Sequence, residues 1–420
     1  MSRRAVITGL GVMAPSGVTA EEHWSTVASR TNRLDRISAF DASGYTTTVA
    51  GEVRGLDDLT RDIPNRLTVQ TDRWTWMAFV AVERALADAR LDLDAEDPYQ
   101  VSVVLASSSG GNHFGQRELQ RLWSQPERTV GAFQSIAWFY AATVGQLSIR
   151  HQAKGPSNVL VAESAGGLDS LAHSARLIAR GVDVVLAGGL EAPLSPYALT
   201  CQLGSGRLSP VADPARAYLP FDAAASGYVP GEGGAVLVVE ELEHAVGRGA
   251  TIYAEVAGWS ATHDGVLPGG PDGVPHQQYA RALREAIGNA GLAPEDIDLV
   301  VPDAQGVLDQ DRAEAAAIRA VFGPARPPVS SAKSLIGRLY QGGAALDAAT
   351  AVLAMRAGQI PAHSGTGRPA EGCDLDFVAG TRPARLEAAL IAARGYGGYN
   401  SAVVLRRHPG TAADNGRTAS

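Results

Sequence analysis

The sequence contains few cysteines and almost no lysine. Cys201 and Cys373 are its two cysteines, and they lie far apart without the CxxC spacing of metal or redox motifs. We therefore expect free thiols and a location in a reducing cytoplasm. Lysine occurs at Lys154 and Lys333 alone, although lysine and arginine together number 36. Arginine supplies nearly all the positive charge, which makes Lys333 a residue to follow.

Long apolar runs and a basic surface are also missing. No segment approaches the roughly 20 apolar residues that a membrane span needs, and the first apolar stretch is too short and glycine-broken for a signal peptide. The formal net charge of −8 argues against nucleic-acid or anionic-membrane partners. No histidine, cysteine or carboxylate cluster has metal-ligand spacing, so we expect no metal. The composition predicts a soluble globular protein.

Apolar strands alternate with helices along the whole chain of 420 residues. This pattern indicates an α/β fold with sheets covered on both faces. A Gly-Gly turn followed by Leu-Asp occurs after Ser164 and again after Arg338, which suggests duplication. We therefore predict one half over residues 1–250 and a second over 251–408. The tail, 409–420, lacks periodicity and is predicted to be disordered.

The stretch "VLVAESAGGLDSL" reads as a buried strand that turns sharply into a helix. Enzymes place nucleophiles at such corners, because the helix N-terminus favours negative charge. Ser164 stands at this corner. Its surroundings match the Gly-x-Ser-x-Gly elbow of serine hydrolases loosely, without the first glycine. A hydrolase would also need a histidine and an orienting carboxylate, and no histidine lies in a distinctive motif.

Five ordered motifs carry a family resemblance. They are "FQSIAWFYAATVGQLSIRH", "GPSNVLVAESAGGLDSL", "PFDAAASGYVPGEGGAVLVVEE", "SSAKSLIGRLYQGGAALDAA" and "RGYGGYNSAVVL". From about Ala5 to Arg407 the chain resembles β-ketoacyl synthases of the thiolase fold. More specifically, it is similar to the chain-length factors of bacterial type II polyketide synthases. The resemblance implies two duplicated α/β halves, each with a mixed five-stranded sheet, in αβαβα layers.

The resemblance also implies that the catalytic groups are lost. Ser164 stands where an active ketosynthase has its cysteine, and where many chain-length factors have glutamine. Gln305 and Arg338 stand at the two catalytic histidine positions, and neither side chain can act as a base. Lys333 matches the lysine of active ketosynthases, and we interpret it as structural. We expect a catalytically silent subunit with no condensing activity and no cofactor of its own.

Members of this family form an obligate heterodimer with a ketosynthase, and an acyl carrier protein delivers malonyl units on its phosphopantetheine arm. The growing poly-β-ketone chain extends into an interface tunnel. The family's gating helix matches Gly110 to Trp123, with Asn112, Gly115 and Leu119 on one face. These modest side chains predict a long tunnel, for roughly 20 to 24 or more backbone carbons, because overpacking blocks a tunnel. Alternatively, this face only packs against a partner helix.

Two further segments are assigned by resemblance. Trp138, Phe139 and Tyr140 belong to the loop that crosses between subunits, although ordinary core packing would also explain three aromatics. Gln116 and Arg117 are expected to make polar contacts near that interface. The glycine-rich loop at the active-site mouth contains the residues Tyr396, Gly397 and Gly398.

Two enzymatic alternatives remain open from sequence. Ser164 could retain acyl chemistry, as an acyltransferase or a hydrolase. The chain could also be a decarboxylase that acts on the malonyl carrier protein to prime the synthase, a role that serine in place of the usual glutamine makes less favourable.

Overall fold

The computed structural model of the chain describes residues 3–266 and 274–409. The end of the predicted tail, 410–420, lies outside the described residues. The strands are β1 Ala5–Met13, β2 Asp35–Arg36, β3 Val49–Ala50, β4 Val101–Ala106, β5 Asn158–Leu160, β6 Val184–Glu191, β7 Gly233–Glu241, β8 Ala254–His263, β9 Leu299–Val301, β10 Gln359–Ile360, β11 Arg382–Pro383, β12 Ala388–Gly395 and β13 Tyr399–Arg406.

The helices alternate with these strands along the chain. They are α1 Ala20–Ala28, α2 Leu56–Leu59, α3 Asn65–Thr68, α4 Arg73–Ala89, α5 Asn112–Ser124, α6 Gln134–Ala137, α7 Ala142–Arg150, α8 Gly166–Ala179, α9 Pro196–Leu203, α10 Leu242–Gly247, α11 Gln277–Asn289, α12 Leu308–Phe322, α13 Lys333–Ile336 and α14 Gln341–Ala357. In the described part of the chain, no helix has the length and apolar character needed to cross a membrane.

The main sheet runs in the order β5-β4-β6-β7-β1-β8-β13-β12-β9. The first half of the chain supplies five strands and the second half supplies four, joined through two residue pairs between β1 and β8. In the second half, the fifth place is taken by Val329, which makes a single parallel bridge to Val300. The expected pair of five-stranded sheets is therefore one hydrogen-bonded sheet of nine strands plus a bridge.

The two halves share one topology. In the first half, β4 is parallel to β5 and β6, whereas β7 is antiparallel to both β6 and β1. In the second half, β9 is parallel to β12 and bridges Val329, whereas β13 is antiparallel to both β12 and β8. The predicted duplication is visible in this order. We retain the predicted boundary near residue 250 as a proposal; it would fall between α10 and β8.

Helices fill the space on both sides of each half-sheet. One core joins α4 to β4, β6 and β7, and another joins α11 to β12 and β13. Between the half-sheets lie α8 and α14, which contact strands of both. Every residue of α14 from Gln341 to Met355 is buried, which explains its run of small alanines without a polar face. The αβαβα layering expected from sequence is confirmed.

Candidate functional site

The elbow forms where β5 ends and a 3₁₀ turn, Glu163–Ala165, leads directly into α8. Gly166 and Gly167 bring this corner against the start of α14. A Cβ atom on Gly167 would lie 2.3 Å from the carbonyl oxygen of Gln341, so a larger residue does not fit. Ser164 is buried at the corner, as the sequence predicts. The left-handed backbone belongs to the preceding Glu163, with φ of 49°.

Ser164 lacks the surroundings of an activated nucleophile. Among the described residues, its hydroxyl has no hydrogen-bond partner. His173, on the same helix, lies with its Nε2 3.0 Å from the amide oxygen of Asn158 instead. A serine nucleophile needs a base within about 3 Å, and none is in place here. This geometry gives no support to a Ser164-dependent hydrolase or acyltransferase.

A buried ion pair occupies the second histidine position. The Nη1 of Arg338 donates to Asp303 at 3.0 Å, and its Nη2 donates to the carbonyl oxygen of Arg394 at 2.8 Å. Burial acts to lower the pKa of Arg338, but Asp303, Glu163 and Tyr218 together raise it well above its usual value. The guanidinium is therefore charged and bonded at both terminal nitrogens. Gln305, at the first histidine position, is buried, and its amide oxygen accepts no hydrogen bond from the described residues.

Lys333 makes a second buried pair beside the first. Its ammonium donates to Asp347 and, at 3.2 Å, to the carbonyl oxygen of Pro302. Burial raises the pKa of Asp347 to about 6, against the opposing pull of Lys333. This pairing with a carboxylate is consistent with the structural role that the sequence suggests for the lysine.

The mouth loop closes on the elbow. The Oε2 of Glu163 accepts the backbone N–H of Ser164 at 2.6 Å and the backbone N–H of Tyr396 at 2.8 Å. Gly397 and Gly398, with φ of 94° and 101°, supply the left-handed turn that follows. Tyr396 thus lies beside the elbow, although its number differs from that of Ser164 by more than 230, whereas Gly398 packs against Asp264 and His263.

A cavity of about 380 Å³ lies between the elbow and α5. Asn112 lines it, and Gly115 packs against the indole of Trp138, which also lines it. A Cβ atom on Gly115 would lie 2.6 Å from the Cδ1 atom of Trp138. Leu119 is 39% exposed and does not line the cavity. Of the three predicted tunnel positions, Asn112 lines the cavity, Gly115 borders it through Trp138, and Leu119 lies outside it.

The aromatic segment is on the surface. Trp138, Phe139 and Tyr140 are 50%, 44% and 40% exposed, so the core-packing alternative does not hold. Gln116 differs from expectation, because its amide oxygen accepts the backbone N–H of Tyr197 within the same chain. Arg117 lies over the ring of Phe114, 5.2 Å from its centroid, and lines a separate cleft together with Arg73 and Glu232.

Several residues of this site were not predicted. Glu163, Asp303, Arg394 and Asp347 provide most of its charge and hydrogen bonds. Glu163, Asp347 and Arg394 lie inside the motifs quoted above, but the sequence does not show which groups they bond to. In the described part of the chain, no cluster of three or more histidine, cysteine or carboxylate groups is placed to hold a metal ion.

Comparison with known proteins decides the family. Residues 2–245 match the model of the β-ketoacyl synthase N-terminal domain, and residues 253–366 match that of the C-terminal domain. The chain belongs to the β-ketoacyl synthase family. It is 49% identical to the tetracenomycin polyketide synthase ketoacyl synthase beta subunit of Streptomyces glaucescens. The match covers 96% of this chain and 98% of that subunit. The resemblance inferred from the motifs is confirmed.

Two relatives from one organism differ in how similar they are to this chain. The chain is 47% identical to putative polyketide beta-ketoacyl synthase 2 of Streptomyces cyaneus, over 98% of both chains. It is only 33% identical to putative polyketide beta-ketoacyl synthase 1 of the same organism, over 96% of this chain and 98% of the other. Among solved structures, the ishigamide ketosynthase/chain length factor superposes with a TM-score of 0.89 at 27% identity, over 97% of this chain and all of that one.

Proposed function

We propose that this chain is a catalytically silent chain-length factor of a type II polyketide synthase. It pairs with a ketosynthase as an obligate heterodimer and shapes the tunnel for the growing poly-β-ketone chain. An acyl carrier protein brings malonyl units on its phosphopantetheine arm, and this chain itself uses no cofactor. Both cysteines are free thiols, in keeping with a cytoplasmic location.

The observation that carries the proposal is the gate. The cavity beside the elbow is bounded by α5 and by Trp138, and Gly115 is the point where the helix touches that indole. Asn112 faces the cavity, whereas at Gly115 the helix meets the indole directly, so a side chain there would push the ring towards the cavity. A rigid, closely packed wall of this kind sets a length limit, because overlap with packed atoms costs about 1–3 kcal/mol. By resemblance to the family, with overpacking as the physical basis, the tunnel suits roughly 20 to 24 or more backbone carbons.

The proposed partner surface is an apolar band around the aromatic segment. Its exposed large apolar side chains are Leu119, Trp123, Val130, Phe133, Ile136, Trp138, Phe139 and Tyr140. Beside the band, β5 is the edge strand of the main sheet. An edge strand presents backbone groups that another chain can pair with. An obligate interface buries more than about 2,000 Å², and exposed apolar side chains are the kind of surface that such an interface covers.

The gate is tested by adding bulk to α5. We expect Gly115→Phe, co-expressed with the cognate ketosynthase and carrier protein, to shorten the product by one or more two-carbon units, since the new ring displaces Trp138 into the cavity. Gln120→Phe adds the same ring on an exposed position of the same helix and should leave product length unchanged. An unchanged product from Gly115→Phe, or equal shortening by Gln120→Phe, would remove this helix from the gate.

Assembly gives a second test of the same proposal. Produced alone, the chain should aggregate or form homodimers, because the apolar band is left bare. Co-production with the ketosynthase should give a 1:1 complex by light scattering. A well-behaved monomer would count against the obligate partnership.

A further inference from the structure

Two backbone N–H groups point at one atom beside the elbow. The N–H of Ser164 and the N–H of Tyr396 both donate to the same Oε2 atom of Glu163, at 2.6 and 2.8 Å. A pair of converging backbone donors next to a nucleophile position is how enzymes bind the oxygen of an acyl carbonyl as it becomes negatively charged. In this chain the oxygen bound there belongs to the protein's own side chain.

The backbone around this carboxylate is set up to hold it. Glu163 adopts a left-handed conformation with φ of 49°, which costs a residue with a Cβ atom about 1–2 kcal/mol. Gly395 lets the mouth loop come close, because a Cβ atom there would lie 2.7 Å from the carbonyl oxygen of Ala162 and 3.1 Å from the Cβ of Glu163. The two hydrogen bonds offset the local strain and tie the loop to the elbow.

The charge of the carboxylate is matched by its surroundings. The pKa of Arg338 is lowered by burial and raised by Asp303. The next largest influence is Glu163, which also raises that pKa. Burial raises the pKa values of Tyr228 and Tyr340, and the Glu163 carboxylate raises both further. Arg338 and the Glu163 carboxylate therefore attract each other across the site, while the direct ion pair of Arg338 is with Asp303.

We propose that Ser164 N–H and Tyr396 N–H form a latent binding site for the carbonyl oxygen of an acyl thioester, and that the Glu163 carboxylate fills it and bars acyl groups from this subunit. The inference rests on the proposed function in explaining why the subunit is silent. It adds a second barrier to the absence of cysteine: restoring the nucleophile alone does not restore acylation.

The test restores the nucleophile with and without the carboxylate. Ser164→Cys, Ser164→Cys/Glu163→Gln and Ser164→Cys/Glu163→Ala are each purified as the complex with the ketosynthase and incubated with the hexanoyl thioester of N-acetylcysteamine. The introduced thiol loses its proton and attacks the carbonyl carbon. A new C–S bond replaces the bond to N-acetylcysteamine, which takes up a proton and leaves as the free thiol. Peptide mass spectrometry locates the acyl group at position 164 and separates it from the partner's own site.

We expect acylation at position 164 to be at least about tenfold faster in Ser164→Cys/Glu163→Ala than in Ser164→Cys, since each lost oxyanion contact is worth that much or more. Compared at a pH above the thiol pKa of each variant, Ser164→Cys/Glu163→Gln should stay slow, because the amide oxygen can accept the same two N–H groups. Ser164→Cys/Glu295→Ala removes an exposed carboxylate elsewhere and should match Ser164→Cys. Equal rates in Ser164→Cys and Ser164→Cys/Glu163→Ala, whether fast or slow, would overturn the proposal.

A second measurement does not depend on the alanine variant folding. The pH dependence of iodoacetamide alkylation gives the pKa of the introduced thiol. Glu163→Gln should lower that pKa by about one unit, because a like charge next to a thiolate disfavours it. An identical profile in the two variants would show that the carboxylate does not face this position. Product length plays no part in either measurement, so failure of the gate experiment and failure of this inference are distinguishable.

Discussion

The elbow and the gate lie on either side of one cavity and are built in opposite ways. At the elbow, Glu163, Asp303 and Arg338 fill the space with paired charge and close it. At the gate, Gly115 has no side chain, and the half-exposed indole of Trp138 packs directly against it. The first region has the positions of a catalytic centre but no base bonded to Ser164, whereas the second borders free volume.

This difference indicates where the molecule tolerates change. Buried ion pairs depend on both partners, because either charge alone is costly to bury. A gate lined by a glycine and a movable ring can accept small changes that alter shape with little effect on stability. We therefore expect substitutions at the elbow to affect folding and substitutions at the gate to affect product length. The following predictions test that division, from the largest expected effect to the smallest.

Breaking the elbow ion pair should have the largest effect. Arg338→Met leaves the Asp303 carboxylate buried without its partner, and we expect the free energy of unfolding to fall by about 3–5 kcal/mol in urea titrations. Arg338→Met/Asp303→Leu removes both charges and should cost less than the single change. Arg61→Ala, in an exposed ion pair with Asp58, is the matched control and should have little effect. A loss below about 1 kcal/mol for Arg338→Met would contradict the contrast between the two regions.

Acid should weaken the layer that supports the elbow. His23 is fully buried, bonded to Ser16 and to Thr350 of α14, and burial lowers its pKa from 6.5 to about 4. Because the unfolded chain takes up this proton at higher pH than the folded chain, stability is complete above pH 6.5 and is lost as pH falls towards 4. The loss from this group reaches about 3 kcal/mol.

The measurement is urea unfolding between pH 7 and pH 4, compared with His23→Gln. The difference in stability between the two proteins should shrink as pH falls, since glutamine does not titrate. Parallel curves across that range would mean that His23 is not held neutral.

The partner surface should show an intermediate effect. Phe139→Ala removes an exposed ring that packs at a tilt against the ring of Tyr140, with centroids 4.8 Å apart. We expect the free energy of binding to the ketosynthase to become less favourable by about 1–2 kcal/mol in binding titrations, as at a central aromatic of an interface. Tyr99→Ala removes an aromatic that is 65% exposed outside the apolar band. Equal weakening by both changes would place the interface elsewhere.

The gate should show the smallest effect on stability. In Gly115→Ala the new methyl group displaces the Trp138 indole, while alanine gains about 1 kcal/mol over glycine in a helix, so the free energy of unfolding should change by less than about 1 kcal/mol. The product distribution should nevertheless shift towards shorter chains, and adding Trp138→Ala should reverse the shift. A large loss of stability without any change in product would show a packing role alone.

Local patterns predicted the fold well. The apolar run before Ser164 and the glycine pair after it determine the strand, the corner and α8, and the alanine-rich sequence of α14 explains its central place. The order of five motifs identified the family. These features depend on neighbours in the chain, which is why a sequence reveals them.

The content of the elbow could not be predicted in the same way. Glu163 accepts a hydrogen bond from the backbone of Tyr396, 233 residues later, and Arg338 donates to Asp303, 35 residues earlier. No spacing rule links such positions, because the fold alone brings them together. Similarly, the exposure of Trp138 and the intrachain bond of Gln116 depend on how α5 and α9 meet. Val329 stands between Pro328 and Ser330 without an apolar run, so apolar patterning predicts no strand at the place where the structure has a single bridge.

One of the two thiols has a practical consequence. Cys201 is exposed and lines the cavity, whereas Cys373 is buried with its pKa raised to about 11, mainly by burial. Since the thiolate is the reactive form, a maleimide dye at neutral pH attaches to Cys201 and spares Cys373. The protein thus carries a natural position for an optical reporter, whose emission would follow, in real time, the filling and emptying of the chamber during each round of synthesis.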